Sequence, residues 1–169
     1  MALATDTPLG ATYKGKEYAV LERISASLCC EYVATHRDAE VDAIMIRGGK
    51  VVSAGEIKCR SATMHQLQQW GSLMVSTSKL RAGRGLASAL RVPFLIWTTV
   101  KPHLLAKRIE QMDIAYWPLI SADGEYEPAI CDPDDGQLLS ETRVTQDTIN
   151  GGEKVDEVTY APVELMRLL

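Results

Sequence analysis

Apolar positions along the chain follow two rhythms. Leu21, Ile24 and Leu28 recur at three- and four-residue steps. That spacing predicts a helix from about Lys14 to Cys30 with one apolar stripe. Glu31 to His36 reads as a short strand. Val41 to Ile46 and Val51 to Cys59 are β-branched, largely apolar runs, and Arg47-Gly48-Gly49-Lys50 between them is a hairpin signal. Thr63 to about Leu73 reads as a helix, because Thr63 with Gln66 three residues later fits a capping box. Met74 to Ser78 reads as a short strand. Lys79 to Leu90 reads as a second helix, against which Gly83 and Gly85 count. Val92 to Val100 is a strong strand, with Pro93 only at its start, where proline is tolerated.

The remaining segments carry weaker patterns. Residues 1–12 read as a flexible lead-in. Leu104, Leu105, Arg108, Ile109 and Met112 suit a helix, and Ile114 to Ile120 suits a strand. Asp123-Gly124 and Asn150-Gly151-Gly152 are turn sequences, and Glu164 to Leu169 reads as a terminal helical turn. The order helix, hairpin, helix, strand predicts an α/β fold with a mixed sheet covered on both faces. Asp42, Ile44 and Ile46 alternate with Val41, Ala43 and Met45, so both sides of that strand are largely apolar. A sheet wet on one side would instead alternate apolar with polar. The chain is 169 residues long, enough for one domain with a proper core and too short for two. The expected core spans about 14–120, and a C-terminal extension of strands and turns spans about 121–169.

Apolar residues are 46% and charged residues 24% of the chain, a globular composition. No apolar run reaches the ~18 residues of a membrane-spanning helix. The first ten residues lack the basic start of a signal peptide, so a cytoplasmic protein without a membrane partner is expected. Cys29, Cys30, Cys59 and Cys131 form no C-x-x-C pair, so reduced, mostly buried thiols are expected. Charge is distributed unevenly. Residues 1–109 hold 15 Lys/Arg against 8 Asp/Glu, a balance of +7, and residues 110–169 hold 3 against 14, a balance of −11. The basic part suits a polyanion, or else the two parts attract one another within the fold.

Three charged residues interrupt the apolar strands: Asp42 opens one, and Glu56 and Lys58 close the next. Glu56 and Lys58 point to one face because a strand has period two. Carboxylates and an ammonium at the edge of a buried sheet are costly unless something uses them. Paired carboxylates bind a hard divalent cation such as Mg²⁺. Such a cation can polarise a phosphate oxygen, and a nearby lysine can orient water or offset developing charge. Hairpin register decides whether Asp42 joins them. A two-residue turn at Gly48-Gly49 pairs Arg47 with Lys50 and sets Asp42 opposite Gly55, facing away from Glu56. A three-residue turn at Gly48-Gly49-Lys50 pairs Arg47 with Val51 and sets Asp42 opposite Glu56. The second register, or a bulge with the same effect, is expected.

Asp42, a hairpin, and Glu56-Ile57-Lys58, preceded by a helix carrying an acid, together resemble the PD-(D/E)XK nuclease superfamily. That group includes restriction endonucleases, archaeal Holliday-junction resolvases and the lambda-exonuclease group. The resemblance covers about residues 14–100 and matches the αβββαβ order of the restriction-endonuclease-like core, although Val41 stands where the motif has proline. It implies that Asp42 and Glu56 ligate Mg²⁺ or Mn²⁺, with the Ile57 carbonyl as a further ligand, and that Lys58 is the catalytic lysine. It maps the helix acid onto Glu22, with Glu17 as the alternative.

Other polar residues are candidates for substrate contact. Gln69 lies one turn beyond Gln66 on the same helix, whose own role is read as capping. Lys79, Arg81 and Arg84 could meet backbone phosphates. Trp70 and Trp97 are expected in the core, and His36, His65 and His103 show no ligand spacing. Asp132-Pro133-Asp134-Asp135-Gly136 reads as an acidic turn. The expected function is metal-dependent hydrolysis of DNA, as in phage or prophage recombination or repair, with a second copy of the chain left open as a partner. The alternative is an inactive nuclease-fold protein that binds nucleic acid or, through its acidic part, another protein.

Overall fold

The computed structural model describes residues 8–35, 39, 41–146 and 151–169, with side chains from Lys14 onward. Helix α1 (Pro8–Leu28) starts earlier than its stripe predicts, so residues 8–12 belong to a helix rather than a lead-in. Residues 1–7 lie outside the described residues. The helix ends at Cys29, which takes a left-handed φ of 50°. Strand β1 (Glu31–Ala34) follows, stopping before His36, which also lies outside the described residues. Strands β2 (Ala43–Arg47) and β3 (Lys50–Lys58) form the predicted hairpin. Helix α2 (Met64–Trp70), strand β4 (Ser72–Ser76), helix α3 (Thr77–Leu90) and strand β5 (Phe94–Val100) come next.

The main sheet has the order β1-β2-β3-β5-β6-β9, where β6 is Asp113–Ile120 and β9 is Arg167–Leu168. It is mixed: β3 and β5 run parallel and its other pairs are antiparallel. Both faces are covered, as the apolar alternation of β2 requires. Val20, Leu21 and Ile24 of α1 pack with Ala43, Met45, Ile57 and Trp97 on one face. Leu67 of α2 and Leu80 of α3 pack with Ala54, Phe94 and Ile96 on the other. A second sheet, β4-β8-β7, closes that side; β7 is Glu141–Gln146 and β8 is Glu153–Pro162. Thr77 and Thr159 share a buried hydrogen bond of 2.9 Å between α3 and this sheet. Among the described residues no helix is long and apolar enough to cross a membrane.

The Thr63–Gln66 capping box forms as expected, with Gln66 N donating to Thr63 Oγ1 at 3.2 Å and Thr63 N to Gln66 Oε1 at 2.9 Å. Two expected helices do not form. Residues 104–112 bury Ala106 and Met112 but leave Leu104 and Leu105 73% and 79% exposed, so the expected apolar helix face is not buried as one. Only a 3-10 turn at Ile109–Gln111 remains, held where Arg23 donates to the carbonyls of Ile109 and Met112. At the C-terminus a 3-10 turn at Val163–Leu165 gives way to β9, because the chain pairs with β6 instead of coiling on itself. The Asp123-Gly124 turn is present, with Gly124 at φ +78°; Asn150 lies outside the described residues.

Candidate active site

The hairpin decides the site, by a route the turn sequence alone does not give. Gly48 and Gly49 both take positive φ, 56° and 72°, the signature of a two-residue type I′ turn. Arg47 therefore pairs with Lys50, not with Val51. That register alone would turn Asp42 away from Glu56. A bulge reverses the outcome. Ile46 pairs with Val51 but Met45 pairs with Ser53, so one extra residue of β3 is skipped. Beyond the bulge Ala43 lies opposite Gly55, which sets Asp42 against Glu56. Of the two expected routes, the three-residue turn does not form and the bulge does, with the same facing.

Backbone bonds clamp Asp42 on both sides. Its N–H donates to the Gly55 carbonyl at 3.1 Å, and its carbonyl accepts from Thr35 N at 2.9 Å. Its carboxylate Oδ2 accepts from Ile57 N at 2.7 Å. The aspartate side chain thereby continues the β2–β3 ladder where the backbone of β2 has left it.

Glu56 follows Ala54 on the face that meets α2 and α3. It is 5% exposed. Its Oε1 lies 3.5 Å from Lys58 Nζ and its Oε2 lies 3.4 Å from Lys79 Nζ. Oε2 is buried and receives no hydrogen bond, so the Lys79 contact is charge proximity without hydrogen-bond geometry. Burial pushes the Glu56 carboxyl up to about 7; Lys58 and Lys79 oppose the shift, and the Asp42 carboxylate, within hydrogen-bonding reach, adds to it. Two carboxylates crowded together with an orphaned buried oxygen are a donor set that a hard cation would satisfy. Among the described residues no three or more Asp, Glu, His or Cys side chains converge as a metal-binding group. A cation here would therefore complete its shell from backbone carbonyl and water.

The two candidate helix acids are placed differently. Glu22 accepts a 2.6 Å hydrogen bond from Tyr32 Oη on β1 and is not brought to the site. Glu17 pairs with Lys14 at 3.1 Å. Burial raises its carboxyl above the ordinary value, and the Asp42 charge raises it further. A signal for this was present in the chain. Glu17 extends the buried stripe Leu21, Ile24 backward by one turn, whereas Glu22 lies on its flank. Cys59 sits in the same field: burial, then Glu17, push its thiol up to about 11, so it stays neutral.

The remaining candidates are dispersed. Lys79 is at the carboxylate pair, as above. Arg81 makes a two-pronged bond to Glu157, at 2.8 and 2.9 Å. Arg84 donates to the Gly124 carbonyl at 3.0 Å and stacks over Tyr126. Gln69 is exposed on α2. Trp97 is buried as expected, but Trp70 is 62% exposed. It is the last residue of α2, and Gly71, left-handed at φ 74°, turns the chain away before the indole can be covered. Sequence reasoning passed over Arg60 as well. The Arg60-Ser61 step, just past Lys58, lines two clefts at once.

Residues 9–135 match the model of a family described as "Phage putative PDDEXK endonuclease". No curated protein and no solved structure matches the chain.

Proposed function

The chain belongs to the phage PD-(D/E)XK endonuclease family and has its restriction-endonuclease-like α/β fold, and on that premise we propose that it is a divalent-metal-dependent deoxyribonuclease acting in recombination or repair of phage or prophage DNA. The observation that carries this reading is the bulged register that sets Asp42 against Glu56, with Lys58 3.5 Å from the Glu56 carboxylate. We take the C-terminal strands to be part of the same nuclease domain.

In this reading Asp42 and Glu56 hold Mg²⁺ or Mn²⁺ through carboxylate oxygens, and the Ile57 carbonyl contributes beside them. When bound, the cation supplies Lewis-acid polarisation of the phosphodiester. Ile57 N fixes one Asp42 oxygen, which leaves the other to turn toward Glu56. Lys58 lies beside the carboxylate pair, where it orients the attacking water and offsets charge on the phosphate. Lys79 brings a second positive charge to the same carboxylate from α3. Glu17 replaces Glu22 as the helix acid, acting through its field on Asp42.

The test is a cleavage panel on linear, circular, single-stranded and branched DNA with Mg²⁺, Mn²⁺ or EDTA. Lys58→Ala and Asp42→Asn are expected to lower the rate at least ~100-fold, and EDTA to abolish it. Equal cleavage by wild type and Lys58→Ala would place the chemistry elsewhere. A melting temperature indifferent to both cations would favour a binding protein without catalysis.

A further inference from the structure

We propose that the strand to be cut is held unpaired beside Lys58, with its phosphates on one side of the Arg60-Ser61 ridge and a base in a cleft walled by Trp70 on the other. The inference rests on the nuclease reading and names the form of DNA the site takes. The ridge is rigid. The Thr99 hydroxyl accepts from Arg60 N at 3.0 Å and donates to the Arg60 carbonyl at 2.8 Å. It lies two residues past Lys58, just beyond the end of β3, which sets it next to the carboxylate-bearing strand.

The two sides of the ridge differ in chemistry. One is a cleft of about 440 Å³ whose charged lining is Lys16, Arg60, Lys101, Lys107, Arg108 and a single acid, Glu110. Lys107 and Arg108 are exposed, and Arg60 has no carboxylate partner among the described residues. Arg60, Lys101, Lys107 and Arg108 at the end of β3 suit consecutive phosphates. The other side is a cleft of about 600 Å³ lined by Leu67, Leu73 and Met74 together with Trp70, Tyr160 and Arg143. Arg143 donates to Tyr160 Oη at 2.7 Å, which steadies that wall. The volume is of the size that takes one small flat ligand.

An intact duplex keeps its base faces stacked inside the helix. An exposed indole beside a phosphate track gains nothing from it, whereas an unpaired base can stack there. A protein partner would meet the same cations and would need an acidic strip with an aromatic or flat group at matched spacing; a nucleic-acid strand has that alternation at every residue.

Trp97 and Trp117 are 2% and 0% exposed, so Trp70 is the tryptophan a ligand can quench. Binding would be read by tryptophan fluorescence and by anisotropy, in EDTA. The probes are an oligo-dT strand, a perfect duplex of equal length, and that duplex with a single-stranded tail. The strand and the tailed duplex are expected to quench wild type. Trp70→Ala should weaken binding to both by about tenfold and leave the perfect duplex unaffected; Trp70→Phe should recover part of the loss. Absence of quenching by the strand, or an equal loss on perfect duplex and strand, would overturn the proposal. Lys58→Ala separates the two readings. Cleavage lost on Lys58→Ala with no effect of Trp70→Ala on binding sinks only the cleft. The expected Trp70 effect with undiminished cleavage by Lys58→Ala sinks only the assignment of the catalytic site.

Discussion

Glu56 is stabilised by none of its neighbours as fully as water would stabilise it. Its carboxyl sits at about 7 in the folded chain against 4.5 in the ordinary case, with burial as the leading cause. Between those values the folded state binds more protons than the unfolded state, so stability falls as pH rises through that window and levels off above it. Glu56→Gln should therefore stabilise the metal-free protein, by about 1 kcal/mol at pH 5 and by roughly 3 kcal/mol at pH 8, while abolishing cleavage. Denaturant titrations at the two pH values check this; a gain independent of pH would refute it. Glu17 shifts in the same direction, but it is common to both proteins and drops out of the comparison. At this scale the chemistry of the site was legible: Asp42, Glu56 and Lys58 stand out as charges in apolar strands. The helix acid was not, because choosing between Glu17 and Glu22 requires the phase of α1 against the sheet.

At the scale of elements, α3 shows how the same residue type can have opposite uses. A β-carbon built at Gly83 would meet the Phe94 ring at 2.7 Å, while one at Gly85 meets nothing within 4 Å. Gly83 lets the helix approach β5, and Gly85 does not contribute to packing. Gly83→Ala is expected to destabilise by about 1–3 kcal/mol through overpacking, and Gly85→Ala to stabilise by about 0.5–1 kcal/mol through helix propensity. Thermal unfolding of the pair should give shifts of opposite sign. Sequence reading gave both glycines one weight, since propensity is local and the close approach to Phe94 is not. The β2–β3 hairpin teaches the same lesson. Gly48-Gly49 marks the hairpin, but whether a longer turn or a bulge sets its register depends on how β3 fits between β2 and β5, which no tripeptide encodes.

At the scale of the whole molecule, the family match ends at residue 135, yet the fold does not. Strand β8 pairs along the whole of β4, Val158 and Ala161 are buried, and Trp117 Nε1 donates to the Pro162 carbonyl at 2.9 Å. A chain ending at residue 135 would leave β4 unpaired and open the α3 side of the core. It is expected to lose cooperative unfolding, followed by circular dichroism during heating; a truncated chain with an unchanged sharp transition would show the extension to be dispensable. The same strands explain part of the charge imbalance. Arg81 of the basic portion bonds Glu157 of the acidic portion, so some of the opposite charge is matched internally. The cations left over gather at Lys101, Lys107 and Arg108, beside the end of β3.

By itself the sequence determined the order of the elements from α1 to β5, the two-faced burial of the sheet and the identity of the catalytic candidates. Those follow from local periodicity and from the expense of placing charge in apolar strands. Tertiary structure alone decided the facing of Asp42, the placement of Glu17 in the field of Asp42 and of Glu22 on Tyr32, the exposure of Trp70 and the loss of the helix expected over residues 104–112. Each depends on what packs against the segment: the skipped residue in β3, the angle of α1 on the sheet, the left-handed turn at Gly71, and the Arg23 contacts that hold Ile109 and Met112 in place of helical bonds.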